Sequence, residues 1–185
     1  MAGGGLKTGQ ALGTTPWSRG FDRSLNAAAG GFYFPGSDKA NLFLNGRDVG
    51  SGGQGGVPKE WYSTDLWTDY GLRFIDEARA AKKPFFLYLP FNAPHGASSF
   101  GEGTVTGEKK VVEGVQAPEK YVAMYRGKVK DEKLARYCGA VTCMDEAIGA
   151  LIEAVEKSGQ KDNTLFLFLS DNGGSGNGGN APLKG

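Results

Sequence analysis

The order of apolar patterns along the chain predicts an α/β fold, a parallel-rich sheet flanked by helices. Three observations carry that reading. Residues 85–89 (Phe-Phe-Leu-Tyr-Leu) and residues 164–169 (Thr-Leu-Phe-Leu-Phe-Leu) are near-continuous apolar runs of strand length, the pattern of strands covered on both faces. Each run follows a segment with apolar residues at three- and four-residue intervals, the mark of an amphipathic helix. The resulting order of helix, strand, helix, strand implies right-handed crossovers and parallel strands.

The first helix is announced by Ser63-Thr64-Asp65, which offers N-cap chemistry. Leu66, Trp67, Tyr70, Phe74, Ile75 and Ala78 then recur on one face until Lys82-Lys83 and Pro84 end the pattern. A shorter helix is expected to begin with Pro118 at its N1 position. The long helix starts near Asp131, follows Leu134, Tyr137, Cys138, Val141, Ile148, Leu151, Ile152 and Val155, and closes at Gly159 as a left-handed cap. Residues 97–116 are polar and aperiodic, an excursion over the rim of the sheet. Toward the N-terminus, residues 31–34 and 41–44 are candidates for short strands.

At 185 residues the length suits one domain with a sizeable core. The 21 basic and 20 acidic side chains leave a net charge of +1, so no global field recommends nucleic acid or an anionic membrane as partner. The longest apolar run, residues 84–93, is about half the ~20 residues a membrane-spanning helix needs, so no transmembrane segment is expected. Cys138 and Cys143 lie on one helix pointing to different sides and are expected to be free thiols. His95 is the only histidine, which excludes a multi-histidine metal site.

Ligands of parallel α/β sheets bind in the loops beyond the carboxyl ends of the strands. That rule selects Pro90-Phe91-Asn92-Ala93-Pro94-His95 after the first apolar run and Ser170-Asp171-Asn172-Gly173-Gly174 after the second. Asp171 and Asn172 are hard-oxygen donors on adjacent residues, the type calcium takes, although Asp-Asn-Gly is also a common turn sequence. His95 is either a loop imidazole fixed by a backbone hydrogen bond or a donor to an anionic substrate or leaving group. Gly174, Gly176 and Gly179 fit G-x-G-x-x-G, but Asp171 would repel a pyrophosphate and Asn180-Ala181-Pro182 opens no evident helix, so a dinucleotide loop is rejected.

Several pieces then fall in a recognisable order. They are Arg19-Gly20-Phe21-Asp22, Tyr62-Ser63-Thr64-Asp65, Lys83-Pro84-Phe85-Phe86-Leu87-Tyr88-Leu89 with Ala93-Pro94-His95, and Gln116-Ala117-Pro118-Glu119-Lys120-Tyr121. Tyr137-Cys138-Gly139-Ala140-Val141 with Met144-Asp145-Glu146-Ala147-Ile148-Gly149, then Ser170-Asp171-Asn172-Gly173-Gly174 and Asn180-Ala181-Pro182-Leu183-Lys184-Gly185, complete the series. In this collinear order they resemble the formylglycine-dependent arylsulfatases, most closely the arylsulfatase B type that acts on N-acetylgalactosamine 4-sulfate. The resemblance implies an alkaline-phosphatase-like sulfatase domain, poorly matched over residues 1–15, that hydrolyses a sulfate ester of a small molecule or glycan.

In that family a formylglycine hydrate, made from Cys or Ser in a Cys-x-Pro-x-Arg type motif, attacks sulfur, while Ca2+ and basic groups neutralise the sulfate oxygens. The resemblance makes Asp171 and Asn172 calcium ligands and His95 the catalytic histidine at the sulfate or leaving oxygen. It also implies a secreted, periplasmic or lysosomal compartment. The chain departs from the pattern in two respects that matter. No Cys-x-Pro-x-Arg or Ser-x-Pro-x-Arg occurs; the nearest stretch is Thr14-Thr15-Pro16-Trp17-Ser18, and the paired aspartates that complete the calcium site are missing too. The chain is therefore expected to be an internal fragment of a sulfatase, inactive by itself. A truncated, sulfatase-like binding module and a phosphatase or phosphodiesterase of the same superfamily are the alternatives.

Overall fold

The computed structural model describes residues 15–27, 33–35, 41–96, 102–104, 109–111, 114–174, 176, 178–179 and 181–182. Two helices form its frame. The first, α1 (Ser63–Ala80), buries Leu66, Tyr70, Gly71 and Ile75 on one face, as the apolar spacing predicts. Its helical hydrogen bonding begins at Ser63, with Tyr62 in the cap position, so Ser63 and Thr64 lie inside the first turn and are fully buried.

The second, written α3 (Glu132–Lys157), follows a five-residue helix α2 (Glu119–Ala123). Asp131 caps α3 by accepting from the Leu134 amide at 2.8 Å, which satisfies one of the amides a helix start leaves open. At the far end Gly159 adopts φ +75°, the left-handed closure expected of it. Pro118 stands one place earlier than expected, as the cap residue of α2 and not its first helical residue. Ala135, Gly139, Ala140, Cys143, Ala147, Leu151 and Val155 are the buried face of α3, and both α1 and α2 pack against this helix.

The strands assigned among the described residues are short and antiparallel. β1 (Leu25–Ala27), β2 (Leu42–Leu44) and β3 (Arg47–Asp48) form one sheet in that order. The β2–β3 hairpin turns on Asn45 (φ +49°) and Gly46 (φ +78°), a pair suited to two consecutive left-handed residues. The Asn45 side-chain oxygen also accepts from the Ser24 amide at 2.9 Å, tying the turn to the residue before β1. Of the other expected short strand, Tyr33 and Phe34 are not in strand conformation, and residues 31–32 lie outside the described residues. Within the expected excursion, β4 (Glu102–Thr104) and β5 (Lys109–Val111) pair antiparallel, while residues 97–101, 105–108 and 112–113 lie outside the described residues.

Three apolar clusters hold these elements. Tyr33, Tyr62, Ala93, Tyr121, Val122, Ala140 and Cys143 join α1, α2 and α3 to the loop after residue 92. Leu42, Val49, Val57, Trp61, Leu66 and Tyr70 seat the small sheet on α1. Ile75, Leu151 and Val155 receive Phe85, Leu87, Leu89 and Phe91.

The parallel-rich sheet expected from the two apolar runs is not formed among the described residues. Residues 85–91 show the alternation of an extended chain: Phe85, Leu87, Leu89 and Phe91 pack inward, whereas Phe86 and Tyr88 are 78% and 66% exposed. Residues 165–169 are exposed throughout, Leu165, Leu167 and Leu169 by 82%, 77% and 84%. Neither run is assigned to a strand. The physical reason is that a strand exists through its ladder partners, and no neighbouring strand is paired with either run. The apolar composition of both faces fits a strand covered from both sides.

Candidate functional site

The loop that follows residues 85–89 is braced from three directions. The His95 amide donates to the Asn92 carbonyl at 2.9 Å, closing a turn. From α1, the Trp67 indole Nε1–H donates to the Asn92 side-chain oxygen at 3.1 Å. Outside α1, the buried Tyr33 donates its hydroxyl to the His95 carbonyl at 2.5 Å. Ala93, at the centre of the turn, is buried beside Tyr33 and Tyr62. The turn includes a cis Ala93–Pro94 peptide.

His95 is itself exposed, and its Nδ1 lies 2.6 Å from the Gly96 carbonyl oxygen. A carbonyl can only accept, so Nδ1 carries the hydrogen and, in the neutral ring, Nε2 carries the lone pair. This is the backbone hydrogen bond expected of a loop imidazole that is fixed in place.

Asp171 and Asn172 are exposed and are brought together with each other. The Asp171 carboxylate accepts from the Asn172 amide at 2.9 Å and from its Nδ2 at 2.7 Å. Ser170 Oγ accepts from the Gly173 amide at 3.1 Å. The loop then folds back on itself: a Cβ on Gly174 would stand 2.9 Å from the Gly178 carbonyl carbon, so only glycine fits there. Lys184, the first basic residue after this loop, lies outside the described residues. No hydrogen bond or ion pair joins His95 to the Asp171–Asn172 pair among the described residues.

A second ionisable group of residues lies at the edge of the α1–α3 contact, where buried Cys143 and Tyr121 meet exposed Asp65 and Glu146. Cys143 Sγ is 3.6 Å from Asp65 Oδ1, and the Tyr121 hydroxyl donates to Glu146 at 2.6 Å. Burial pushes the Cys143 thiol up to about 12, with the Asp65 charge adding to it. Burial likewise raises Tyr62 and Tyr33 above the usual phenol range. Cys143 is therefore a packed, protonated thiol and no nucleophile; Cys138, half-buried, is also free.

Sequence reasoning selects His95, Asp171 and Asn172 as candidates from their chemistry and their position after apolar runs. It missed Tyr33 and Trp67. Trp67 reads as a core residue of α1, and Tyr33 is 62 residues from the carbonyl it holds, so neither carries a local signal.

Residues 3–185 match the family model described as Sulfatase. The chain belongs to the sulfatase family. It is 30% identical over 159 residues to the uncharacterized sulfatase YdeN of Escherichia coli (strain K12), a match covering 85% of this chain and 23% of that one. Arylsulfatase J of Mus musculus is 30% identical over 126 residues, 67% of this chain and 18% of that one. The multifunctional alkaline phosphatase superfamily protein PehA of Trinickia caryophylli is 29% identical over 147 residues, 63% of this chain and 28% of that one. Among solved structures, Ps i-CgsB in complex with k-i-k-neocarrahexaose superposes with a TM-score of 0.73 at 30% identity, over 95% of this chain and 38% of the solved one. The sulfatase chain thus spans about a quarter or less of the first two curated relatives.

Members of the sulfatase family generally use a metal ion. Asp171 and Asn172 fit such an ion in kind, offering a carboxylate and an amide oxygen. They do not fit it in number, since calcium takes roughly six to eight oxygens, and the described residues contain no group of three or more His, Cys, Asp and Glu arranged to hold a metal. No helix among the described residues is long and apolar enough to cross a membrane.

Proposed function

We propose that this chain is the part of a calcium-dependent sulfatase that carries His95 and the Asp171–Asn172 pair, and that it serves hydrolysis of a sulfate ester. The family match over residues 3–185 carries the reading. Asp171 and Asn172 would supply two of the oxygens that hold Ca2+, whose chemistry is to neutralise sulfate oxygens as charge shifts to the leaving group. His95, with Nδ1–H anchored on Gly96, takes up a proton at Nε2 to become the imidazolium, gives that proton to the departing oxygen and so returns to the neutral Nδ1–H form without turning the ring. The nucleophile, a formylglycine in a Cys-x-Pro-x-Arg or Ser-x-Pro-x-Arg context, lies outside these 185 residues.

The substrate class is a sulfated small molecule or glycan. The carbohydrate bound to the solved relative supports a glycan, and the likeness to the arylsulfatase B type makes a sulfated N-acetylgalactosamine the first to try. Similarity to PehA supports a phosphate ester as the second reading.

Coding sequence flanking this chain tests the proposal. An in-frame nucleophile motif upstream is expected. The polypeptide extended to include it should hydrolyse an aryl sulfate in the presence of Ca2+, in preference to the aryl phosphate, while the 185 residues alone should not. Robust turnover by the 185 residues alone would overturn the placement of the nucleophile, and preference for the phosphate would select the second reading.

A further inference from the structure

The geometry assigns Tyr33 and Trp67 as positioning residues that hold the turn at residues 92–95 so that His95 stays in its Nδ1–H tautomer, with the lone pair on Nε2. The inference deepens the proposed function by saying how the nitrogen that takes up and passes on the proton is chosen, and it rests on that reading for its consequence in catalysis.

Free histidine in water favours the Nε2–H tautomer, so an imidazole held as Nδ1–H needs an acceptor fixed at Nδ1. The Gly96 carbonyl is that acceptor, at 2.6 Å. A carbonyl on the neighbouring residue stays in reach of its own side chain only while the intervening backbone is rigid, and His95 is exposed, so packing around the ring does not supply the rigidity. The backbone contacts supply it. Tyr33 holds the His95 carbonyl, the peptide unit that leads directly to Gly96. Trp67 holds Asn92, whose own carbonyl receives the His95 amide.

Both anchors are well placed to act as fixed points. The Tyr33 ring is 2% exposed and stacks on Tyr62 with centroids 5.8 Å apart. Trp67 sits in the first half of α1, which packs on α3. Two rigid donors from separate elements thus converge on a four-residue turn, and both hydrogen bonds are partly shielded from water, where such bonds are stronger.

A chain with one histidine makes the test direct, because every imidazole nitrogen signal belongs to His95. Long-range 1H–15N NMR of the 15N-labelled chain, at a pH where imidazole is neutral, reads the tautomer from the two nitrogen shifts. The Nδ1–H form is expected to dominate in the wild type, and the Nε2–H form is expected to become the majority in Tyr33→Phe and in Trp67→Phe. Tyr125→Phe, which removes a hydroxyl bond to Thr142, is expected to leave the tautomer alone. An Nε2–H majority in the wild type would overturn the inference whether or not the variants fold. So would an unchanged tautomer in both folded variants, with folding checked by circular dichroism. Because the spectrum reports the ring and not turnover, a locked tautomer beside a failed sulfatase assay would sink only the functional reading, and the converse result only this one.

Discussion

A Cβ on Gly139 of α3 would stand 3.0 Å from the Val122 backbone nitrogen and 3.1 Å from the Tyr121 carbonyl carbon. The two helices meet backbone to backbone, and neither contact atom is the end of a movable side chain. Replacing Gly139 with leucine should therefore force α2 away, with Tyr121 and Val122 leaving the core, and lower the unfolding free energy by ~1–3 kcal/mol as overpacking typically does. Gly149, on the same helix with nothing within 4 Å of its would-be Cβ, is the contrast: Gly149→Ala should raise stability by up to ~1 kcal/mol through helix propensity alone. Urea unfolding of both variants checks this, and equal stability of Gly139→Leu and wild type would mean that α2 is not docked as described.

Asp65 gives a pH signature. Burial raises its carboxyl above the usual range, only partly opposed by the Cys143 hydrogen bond and the Lys120 charge, while Asp69 and Glu146 raise it further. A raised carboxyl means the folded chain binds the proton more tightly than the unfolded one, so stability declines as pH rises from the ordinary aspartate value of 3.8 through the folded one. Asp65→Asn removes that loss. Its thermal midpoint should exceed that of the wild type at neutral pH, and the gap should close in acid. A variant less stable at pH 7 would show that the charge at the start of α1 is worth more to the helix than its desolvation costs.

What the sequence made legible was local. Asp131, the apolar spacing and Gly159 define α3 nearly to the residue, because cap, stripe and left-handed closure are all encoded within one turn of where they act. The Asn45-Gly46 dipeptide is an equally local signal, but strands of two and three residues are too short to show a period and the β2–β3 hairpin was not anticipated. The apolar runs at 85–89 and 164–169 are visible as runs, but a run becomes a strand only through a ladder partner, which no local pattern names. The site divides the same way. His95 and Asp171 declare themselves by chemistry, and the donors that hold the His95 loop act across 62 and 25 residues.

The exposed run at 165–169 yields the last prediction. Leu167 is 77% exposed and Leu151, on α3, is 8% exposed. In the 185-residue chain, Leu167→Ser should change stability by no more than ~0.5 kcal/mol, the range of ordinary surface substitutions, while Leu151→Ala should cost ~2–5 kcal/mol as buried leucines do. An apolar run this exposed ordinarily marks a surface that something covers, and under the proposed function the cover is the rest of the sulfatase domain. The cost of Leu167→Ser should therefore depend on context, rising to more than ~1 kcal/mol in the polypeptide extended by its flanking coding sequence. Urea unfolding of each variant in both contexts decides the matter. If Leu167→Ser costs as much as Leu151→Ala in the short chain, the run is already buried there. If it costs nothing in either context, the flanking polypeptide does not pack on this segment.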